Sequence, residues 1–320
     1  KICKKINNKI FPIQIEDKNL KKKFLSSKKK KKFYATTDLN QIKKCEIVLV
    51  SIGFDFYSKD SLKNIIELFK KLYSKLKDET LLIVETTLPP GFSEKKILPI
   101  INKKKKINYV YSFERIMPGE NYYNSIINNT RVYSTINKDS KKKFINFFSK
   151  IINVKKFPLS EINSITTCEL TKVLENSYRA MNIAFIDEWL KFSIQNKINL
   201  NNAITEIKRR STHSNIMRPG IGVGGYCLTK DPYFIKYSSN LIFKDKSKFP
   251  FVDLTLRINK NMPNTSLKFI ETIFSKIRKP KLLFLGMSYK ENVRDLRSSP
   301  SIVLKKILIK KKYKIDVHDY

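Results

Sequence analysis

Residues 46–84 read EIVLVSIGFDFYSKDSLKNIIELFKKLYSKLKDETLLIV, and this stretch decides the fold class. A short apolar run at each end, 46–52 and 81–84, predicts a strand. Between them, apolar residues recur at helical spacing over 61–76, at Leu62, Ile65, Ile66, Phe69, Leu72 and Leu76. Strand, helix and strand in this order are typical of a parallel sheet that binds ligands at the carboxyl ends of its strands.

Two loops follow predicted strands of this sheet. The loop TTLPPG (86–91) comes after the strand at 81–84, and the loop FERIMPG (113–119) comes after a further strand predicted at 108–112. Because neighbouring parallel strands end at the same edge, we expect both loops to face one crevice.

A long helix is predicted from near Thr166 to about Asn196, with Thr166 and Glu169 as a capping box. Its apolar stripe consists of Leu170, Leu174, Tyr178, Met181 and Phe185, whereas Lys172, Asn176 and Arg179 follow one another on a different face. An Asn and a Lys one turn apart can bind one polar ligand. The alternative is a solvent-facing surface, which is the usual place for both residue types.

Four of the eight glycines lie within 220–225, in the segment PGIGVGGYCLTKDP (219–232). Glycines in series let the main chain approach a ligand closely, and the thiol of Cys227 is a potential nucleophile beside Lys230 and Asp231. The segment therefore indicates an active-site loop. A surface turn followed by a small buried cysteine is the alternative.

A second βα pattern occupies the end of the chain. Residues 266–277 and 301–308 are predicted to be helical, and 281–286 and 314–317 to be strands. The intervening loop, 287–300, carries enough charge to bind a phosphate or a carboxylate, at Lys290, Arg294, Asp295 and Arg297.

Composition restricts the function classes. A chain of 320 residues predicts two or three domains, and it has no uncharged apolar stretch of about 18 residues that could cross a membrane. The formal charge of +37 raises the possibility of a nucleic-acid partner, yet only ten of the 65 basic residues are arginine. We interpret the excess as lysine-rich composition, with no nucleic-acid or membrane partner, and keep nucleic-acid binding as the minor alternative.

The cysteines, Cys3, Cys45, Cys168 and Cys227, are far apart and form no CxxC pair. Their spacing predicts neither a metal site nor a disulfide framework. A reducing cytoplasm fits this pattern best.

Taken in order, six motifs resemble those of the nucleotide-sugar dehydrogenases, which oxidise a UDP-linked hexose or GDP-mannose to its uronic acid. They are ATTDL (35–39), TTLPPG, ERIMPG, CELTKVLENSYRAMNIAFIDEW (168–189), the Cys227 segment and FLGMSYKENVRDLRSSPS (284–301). The resemblance implies an α/β fold with two Rossmann-like parallel-sheet domains joined by a central helical domain with a long helix. The expected domains are an NAD-binding domain at 1–158, a central dimerisation and substrate domain at 159–262, and a UDP-sugar-binding domain at 263–320.

The same resemblance implies catalytic roles. Cys227 would attack the aldehyde formed by a first hydride transfer to NAD, and a second transfer would give a thioester that water hydrolyses. Lys172 and Asn176 would stabilise developing negative charge, Asp231 and Thr87 would position the water or a proton relay, and Glu114 would assist hydrolysis.

Binding roles are implied in the same way. Ser51, Thr87, Lys230 and Arg297 would bind NAD, with Arg297 near the cofactor or the domain junction. The UDP-sugar would contact Arg115, Lys172, Asn176, Arg179, Gly222, Gly224, Gly225 and Lys290. A homodimer or higher homo-oligomer would form through the central helix.

Substrate choice follows from the ERIMPG loop, which is similar to that of relatives acting on UDP-N-acetylhexosamines. The UDP-glucose branch carries a second Glu where this chain has Pro118, so an N-acetylated sugar is favoured over UDP-glucose. Two departures from the family pattern bear on the substrate and on NAD contacts: Tyr226 stands where that branch usually has His, and Gly53, Phe54 and Asp55 replace the usual Thr-Pro.

The family's G-x-G-x-x-G turn precedes the region matched by Lys1, and relatives continue beyond Tyr320. We therefore expect a partial copy of a longer enzyme, lacking its first strand, whose own activity is an open question. Three alternatives remain: an inactive truncated relative, a cysteine acyltransferase or hydrolase that works without NAD, and a basic nucleic-acid-binding protein. The second lacks a nearby histidine, since His213 and His318 are the only two.

Overall fold

A computed structural model describes residues 2–13, 15, 17–29, 33–54, 59–117, 119, 121–277 and 280–319. The helices of this part of the chain are α1 (Ile2–Asn7), α2 (Lys18–Lys29), α3 (Lys59–Lys75), α4 (Leu98–Ile101), α5 (Tyr122–Ile127), α6 (Lys138–Phe148), α7 (Ile165–Gln195), α8 (Leu200–Arg209), α9 (Tyr233–Tyr237), α10 (Pro250–Ile273) and α11 (Pro300–Lys310). The chain divides into two compact units. Unit 1 comprises Lys1–Val173 and Phe234–Ser247, and unit 2 comprises Leu174–Tyr233 and Lys248–Tyr320.

Unit 1 is built on a five-stranded sheet in the order β1 (Ile47–Val50), β2 (Leu81–Val84), β3 (Asn108–Tyr111), β4 (Val132–Thr135) and β5 (Ser160–Glu161). Strands β1, β2 and β3 run parallel, which confirms the parallel sheet predicted from 46–84. The pair β3 and β4 is antiparallel, and β4 pairs with β5 in parallel. The sequence analysis predicted neither β4 nor β5.

The sheet of unit 1 is covered on both faces of β2, which is apolar and buried at every position. Leu82 and Val84 lie in one buried cluster with residues of α3, such as Phe69. Leu81 and Ile83 point to the other face and pack in a cluster with residues of α6. This alternation follows from the two-residue repeat of a strand.

Unit 2 contains the greater part of α7, together with α8, α10, α11 and a two-stranded parallel sheet of β6 (Lys281–Leu285) and β7 (Lys314–His318). The predicted strands at 281–286 and 314–317 are confirmed. Leu267, Leu304 and Leu308 form a small buried cluster beside this sheet. The α/β class with a long helix, expected from the sequence, is therefore present.

Two helix predictions need correction. The helix predicted at 266–277 is the second part of α10, because Pro263 lies inside that helix and does not end it. Pro263 removes one backbone N–H donor, but the helix continues on both sides. In α7 the cap is Ser164, whose Oγ accepts the N–H of Thr167 at 3.2 Å, so the predicted capping box is wrong.

No helix in the described part of the chain is both long enough and apolar enough to span a bilayer.

Candidate functional site

Three loops of unit 1 lie at the carboxyl edge shared by β1, β2 and β3. Ser51 follows β1 and is exposed, and Thr87 follows β2 and is half-buried. Thr86 joins the first two loops, because its Oγ1 donates to the carbonyl of Ile52 at 2.9 Å and accepts the Ile52 N–H at 3.0 Å. Because β2 and β3 run parallel, loops 86–91 and 113–119 lie at one edge of the sheet, as the sequence predicts.

Lys172 holds the third of these loops. Its side chain is 7% exposed, its Nζ donates to the carbonyl of Glu114 at 2.8 Å, and it lies 5.6 Å from the centre of the Phe113 ring. The Glu114 carboxylate in turn accepts the N–H of Ile116. A solvent-facing Lys172 was the alternative in the sequence analysis, and it is wrong.

Glu169 lies one turn before Lys172 and holds the second loop. Its carboxylate is fully buried and accepts the N–H groups of Gly91 at 2.6 Å and Ser93 at 2.9 Å. Burial raises the pKa of Glu169 to about 8, although the two N–H donors act in the opposite direction. Helix α7 therefore fixes two of the three loops through consecutive turns.

Gly91 has a positive φ of +84°, which favours glycine, and a Cβ there would lie 2.7 Å from Cζ of Phe243. The sequence analysis treated Glu169 only as part of a cap. No local signal identifies its real partners, because they lie 76 and 78 residues away.

A buried ion pair lies beside the same edge. Arg131 Nη2 is 2.9 Å from Oε1 of Glu85, the residue that follows β2, and both side chains are nearly inaccessible, at 8% and 11%. The Arg131 guanidinium also stacks 4.8 Å from the centre of the Phe148 ring. Burial raises the pKa of Glu85, and the nearby Glu114 charge adds to that shift, whereas Arg131 opposes it. Neither Glu85 nor Arg131 was identified from the sequence.

In unit 2, three predicted site residues contact one another. Asp231 is fully buried, and its two carboxylate oxygens are 2.6 Å from Lys230 Nζ and 2.6 Å from Asn176 Nδ2. Lys230 also lies 4.5 Å from the centre of the Tyr226 ring. Asn176 is thus buried in a polar cluster instead of facing solvent.

Cys227 begins the turn that carries this cluster. Its carbonyl accepts the N–H groups of Lys230 and Asp231, at 3.1 and 2.9 Å. All four cysteines are free thiols, and Cys227 is the exposed one. Cys168 contrasts with it, because burial raises the pKa of the Cys168 thiol to about 12. The predicted alternative of a small buried cysteine at 227 is therefore wrong.

In the loop that joins β6 to α11, the predicted binding residue Arg297 contacts the Cys227 segment. Arg297 accepts the Gly225 N–H through its carbonyl at 2.9 Å and stacks its guanidinium 5.6 Å from the centre of the Tyr226 ring. Its side chain is held by Asp295, with Nη2 to Oδ2 at 2.6 Å, which lowers the pKa of Asp295. Lys290 and Arg179 are exposed.

The predicted residues thus fall into two sets. Ser51, Thr87, Glu114, Arg115 and Lys172 belong to unit 1, where the guanidinium of Arg115 lies 5.3 Å from the Phe113 ring centre. Asn176, Arg179, Gly222, Gly224, Gly225, Cys227, Lys230, Asp231, Lys290 and Arg297 belong to unit 2. Pro118 and Asp55, which entered the substrate and cofactor predictions, lie outside the described residues. Within the described ranges, no group of three or more His, Cys, Asp or Glu side chains could hold a metal ion.

Comparison with known protein families gives three matches along the chain. Residues 1–152 match the NAD binding domain of the UDP-glucose/GDP-mannose dehydrogenase family, residues 166–261 match its central domain, and residues 283–320 match its UDP binding domain.

Individual relatives agree with these matches. A UDP-N-acetyl-D-mannosamine dehydrogenase of Methanococcus maripaludis is 35% identical over 236 residues, covering 73% of this chain and 52% of the relative. A UDP-N-acetyl-D-glucosamine 6-dehydrogenase of Salmonella typhi is 28% identical, covering 89% of this chain and 68% of the relative. The solved structure of the UDP-D-ManNAc dehydrogenase from Pyrococcus horikoshii shares the fold, with a TM-score of 0.85 at 24% identity, over 100% of this chain and 77% of that one. The chain spans little more than half the length of several curated relatives that it matches.

Proposed function

Because this chain belongs to the UDP-glucose/GDP-mannose dehydrogenase family, we propose that it carries out the NAD-dependent oxidation of the 6-hydroxyl of a nucleotide sugar to the uronic acid. One observation carries the proposal. An exposed thiol, Cys227, opens a turn whose next charged residues, Lys230 and Asp231, form a buried cluster with Asn176. A nucleophile on a rigid polar support is what a covalent oxidation needs.

NAD would bind at the carboxyl edge of β1, β2 and β3, because nucleotides bind at the carboxyl ends of parallel strands. Ser51 and Thr87 would hold it at that edge, and Lys230 and Arg297 are the other proposed contacts. When bound, NAD accepts one hydride in each of two oxidations.

The oxidation through Cys227 takes four steps. The alcohol loses a hydride and a proton to give an aldehyde, and the thiol adds to that aldehyde to form a thiohemiacetal. Loss of a second hydride and a second proton gives a thioester on Sγ. Water then cleaves the C–S bond, which releases the carboxylate and returns the thiol, so that two NAD are reduced for each sugar.

The neighbouring residues have separate tasks in this scheme. Lys172, which uses one of its three N–H donors on the Glu114 carbonyl, and Asn176 would stabilise negative charge on the sugar oxygen. Asp231 and Thr87 would orient the water or relay a proton. Glu114 would assist the hydrolysis of the thioester.

A UDP-N-acetylhexosamine is the proposed substrate. The ERIMPG loop supports it, and so do the two relatives whose names specify UDP-N-acetyl-D-mannosamine and UDP-N-acetyl-D-glucosamine. UDP-glucose is the second candidate. A uridine nucleotide is favoured over GDP-mannose, because the names of both relatives specify UDP-linked sugars.

We also propose a homodimer formed through α7. Its predicted apolar stripe is exposed, from 37% at Leu170 to 61% at Leu174, and such a stripe favours a protein partner over water. The four free cysteines support the reducing cytoplasm as its compartment.

The substrate is identified by following NADH absorbance with UDP-N-acetylmannosamine, UDP-N-acetylglucosamine, UDP-glucose and GDP-mannose in parallel. We expect the highest kcat/KM with an N-acetylated UDP-sugar. Preference for UDP-glucose would move the assignment to the second candidate. If folded protein forms no NADH with any of the four nucleotide sugars, the dehydrogenase proposal is contradicted. Salt-sensitive binding to duplex DNA would then support the basic nucleic-acid-binding alternative.

A further inference from the structure

The glycine-rich segment before Cys227 packs against the loop that joins β6 to α11, and Tyr289 is at the centre of this contact. A Cβ added to Gly224 would lie only 2.4 Å from Cβ of Tyr289. One added to Gly225 would lie 2.9 Å from Cε2 and 3.0 Å from Cζ of the same ring. Both glycines are therefore required by the close approach of Tyr289 to the main chain.

Other contacts hold the segment on the same loop. The Gly225 N–H donates to the carbonyl of Arg297 at 2.9 Å, and a Cβ on Gly224 would lie 3.0 Å from the carbonyl oxygen of Ser298. Gly222, with a φ of +138°, lies against Pro300, whose Cβ would be 2.9 Å from an added Cβ. The segment 222–225 thus packs against Tyr289 and against residues 297–300, which follow Tyr289 in the chain.

Hydrogen bonds within the loop that joins β6 to α11 hold its own conformation. The backbone N–H of Tyr289 donates to the carbonyl of Asp295 at 3.3 Å, and the Asp295 carboxylate binds Arg297 through Nε at 3.0 Å and Nη2 at 2.6 Å. These bonds close the loop on itself, so Tyr289 is presented on a fixed support. Its half-buried ring cannot be moved without disturbing Gly224 or Gly225.

Cys227 comes two residues after Gly225 and immediately before the turn formed by Lys230 and Asp231. The main chain is therefore held on both sides of the thiol, by Tyr289 on one side and by the buried Asp231 on the other. We propose that Tyr289 is a positioning residue. Its ring packs against Gly224 and Gly225 and thereby fixes the position of the Cys227 sulfur. The contacts that perform this task are made by Cβ and the ring carbons of Tyr289.

Two measurements that need neither NAD nor a sugar test this directly. In Tyr289→Ala, hydrogen–deuterium exchange of a peptide covering 222–229 is expected to accelerate by about tenfold or more, because the Gly225 amide loses its support. Alkylation of Cys227 by iodoacetamide, followed by peptide mass spectrometry, is expected to accelerate severalfold. Tyr289→Phe should behave like the unchanged protein in both. Tyr289→Leu gives the same comparison if the alanine variant does not fold.

The matched control is Tyr313→Ala, which removes a half-buried tyrosine of unit 2 that packs beside Leu308. It should leave the exchange and the alkylation at 222–229 unchanged. Equal effects of the Tyr313 and Tyr289 variants, or no effect of Tyr289→Ala and Tyr289→Leu, would overturn the inference.

The kinetic consequence rests on the proposed function. Since a displacement of about 1 Å costs on the order of a hundredfold in rate, kcat should fall by about that factor in Tyr289→Ala, with little change in KM and with recovery in Tyr289→Phe. If the unchanged protein forms no NADH, the proposed function is contradicted. The hydrogen–deuterium exchange of 222–229 and the alkylation of Cys227 would still decide the role of Tyr289.

Discussion

Glu169 is the single residue with the largest structural task in unit 1. Its buried carboxylate joins α7 to the loop after β2 by accepting the N–H groups of Gly91 and Ser93. Its pKa is raised by burial from an ordinary value of 4.5 to about 8. Between these values the folded state holds a proton that the unfolded state has lost, so folding is progressively less favoured as pH rises.

We therefore expect the contribution of Glu169 to the unfolding free energy to be fully present below about pH 4.5 and to be lost as pH rises through about 8. Glu169→Gln removes the titrating group and should flatten this slope. Urea unfolding across that range measures it, with Glu188→Gln, an exposed residue of the same helix, as the control. Identical slopes in the Glu169 variant and the control would contradict the prediction.

The ion pair of Glu85 and Arg131 gives a second prediction at this scale. Arg131→Met should lower the unfolding free energy by about 3–5 kcal/mol, because it leaves the Glu85 charge buried without its partner. Changing both residues to Met should restore most of that loss, since the charge is removed as well. Urea unfolding of the single and double variants measures both values. A double variant as unstable as Arg131→Met would show that lost packing on Phe148 dominates instead.

Among the secondary-structure elements, α7 shows best what helical periodicity predicts and what it does not. Its buried side includes Lys172, Asn176 and Ala180, whereas Leu174 and Phe185 are among its most exposed side chains. Helical periodicity separated Lys172 and Asn176 from the apolar stripe but could not say which face is buried, and Arg179, predicted on their face, is exposed. That choice depends on the Glu114 carbonyl and the Asp231 carboxylate, which are 58 and 55 residues away in the chain.

The exposed face of α7 predicts self-association. Leu174→Glu combined with Phe185→Glu should convert a dimer into a monomer in size-exclusion chromatography with light scattering, because charge on an apolar interface is costly to desolvate. Phe251→Glu serves as the control, since Phe251 is 72% exposed on α10. A dimer that persists in the α7 variant, or a monomer before any change, would contradict the proposal.

Elements differ in how well the sequence predicts them. Strands β1 and β2 are continuous apolar runs and β3 is rich in Tyr and Val, so the positions of all three follow from the sequence. Strand β4 begins after Arg131 and mixes Val, Tyr, Ser and Thr, and its antiparallel pairing with β3 depends on contacts that no local pattern contains. The helix predicted from residue 266 begins earlier, as part of α10, where Pro263 is buried and tertiary packing outweighs its low helix propensity.

At the scale of the whole molecule, the order of the motifs predicted the family and the α/β class correctly. The amino-acid composition excluded few classes of function. The three matched segments, 1–152, 166–261 and 283–320, stand in the order that the six motifs indicated. The domain boundaries at 158 and 262 remain predictions. Local motifs identified Cys227, Lys172 and Asp231 as candidates, but their supports, such as Glu169 and Tyr289, are set by packing between distant segments.

The most direct test of the central claim is the number of NADH formed per nucleotide sugar, with limiting UDP-N-acetylhexosamine and excess NAD. Oxidation through a thioester on Cys227 predicts two NADH per sugar and the loss of that turnover in Cys227→Ser. A yield of one NADH per sugar, or turnover that is unaffected by Cys227→Ser in folded protein, would contradict it.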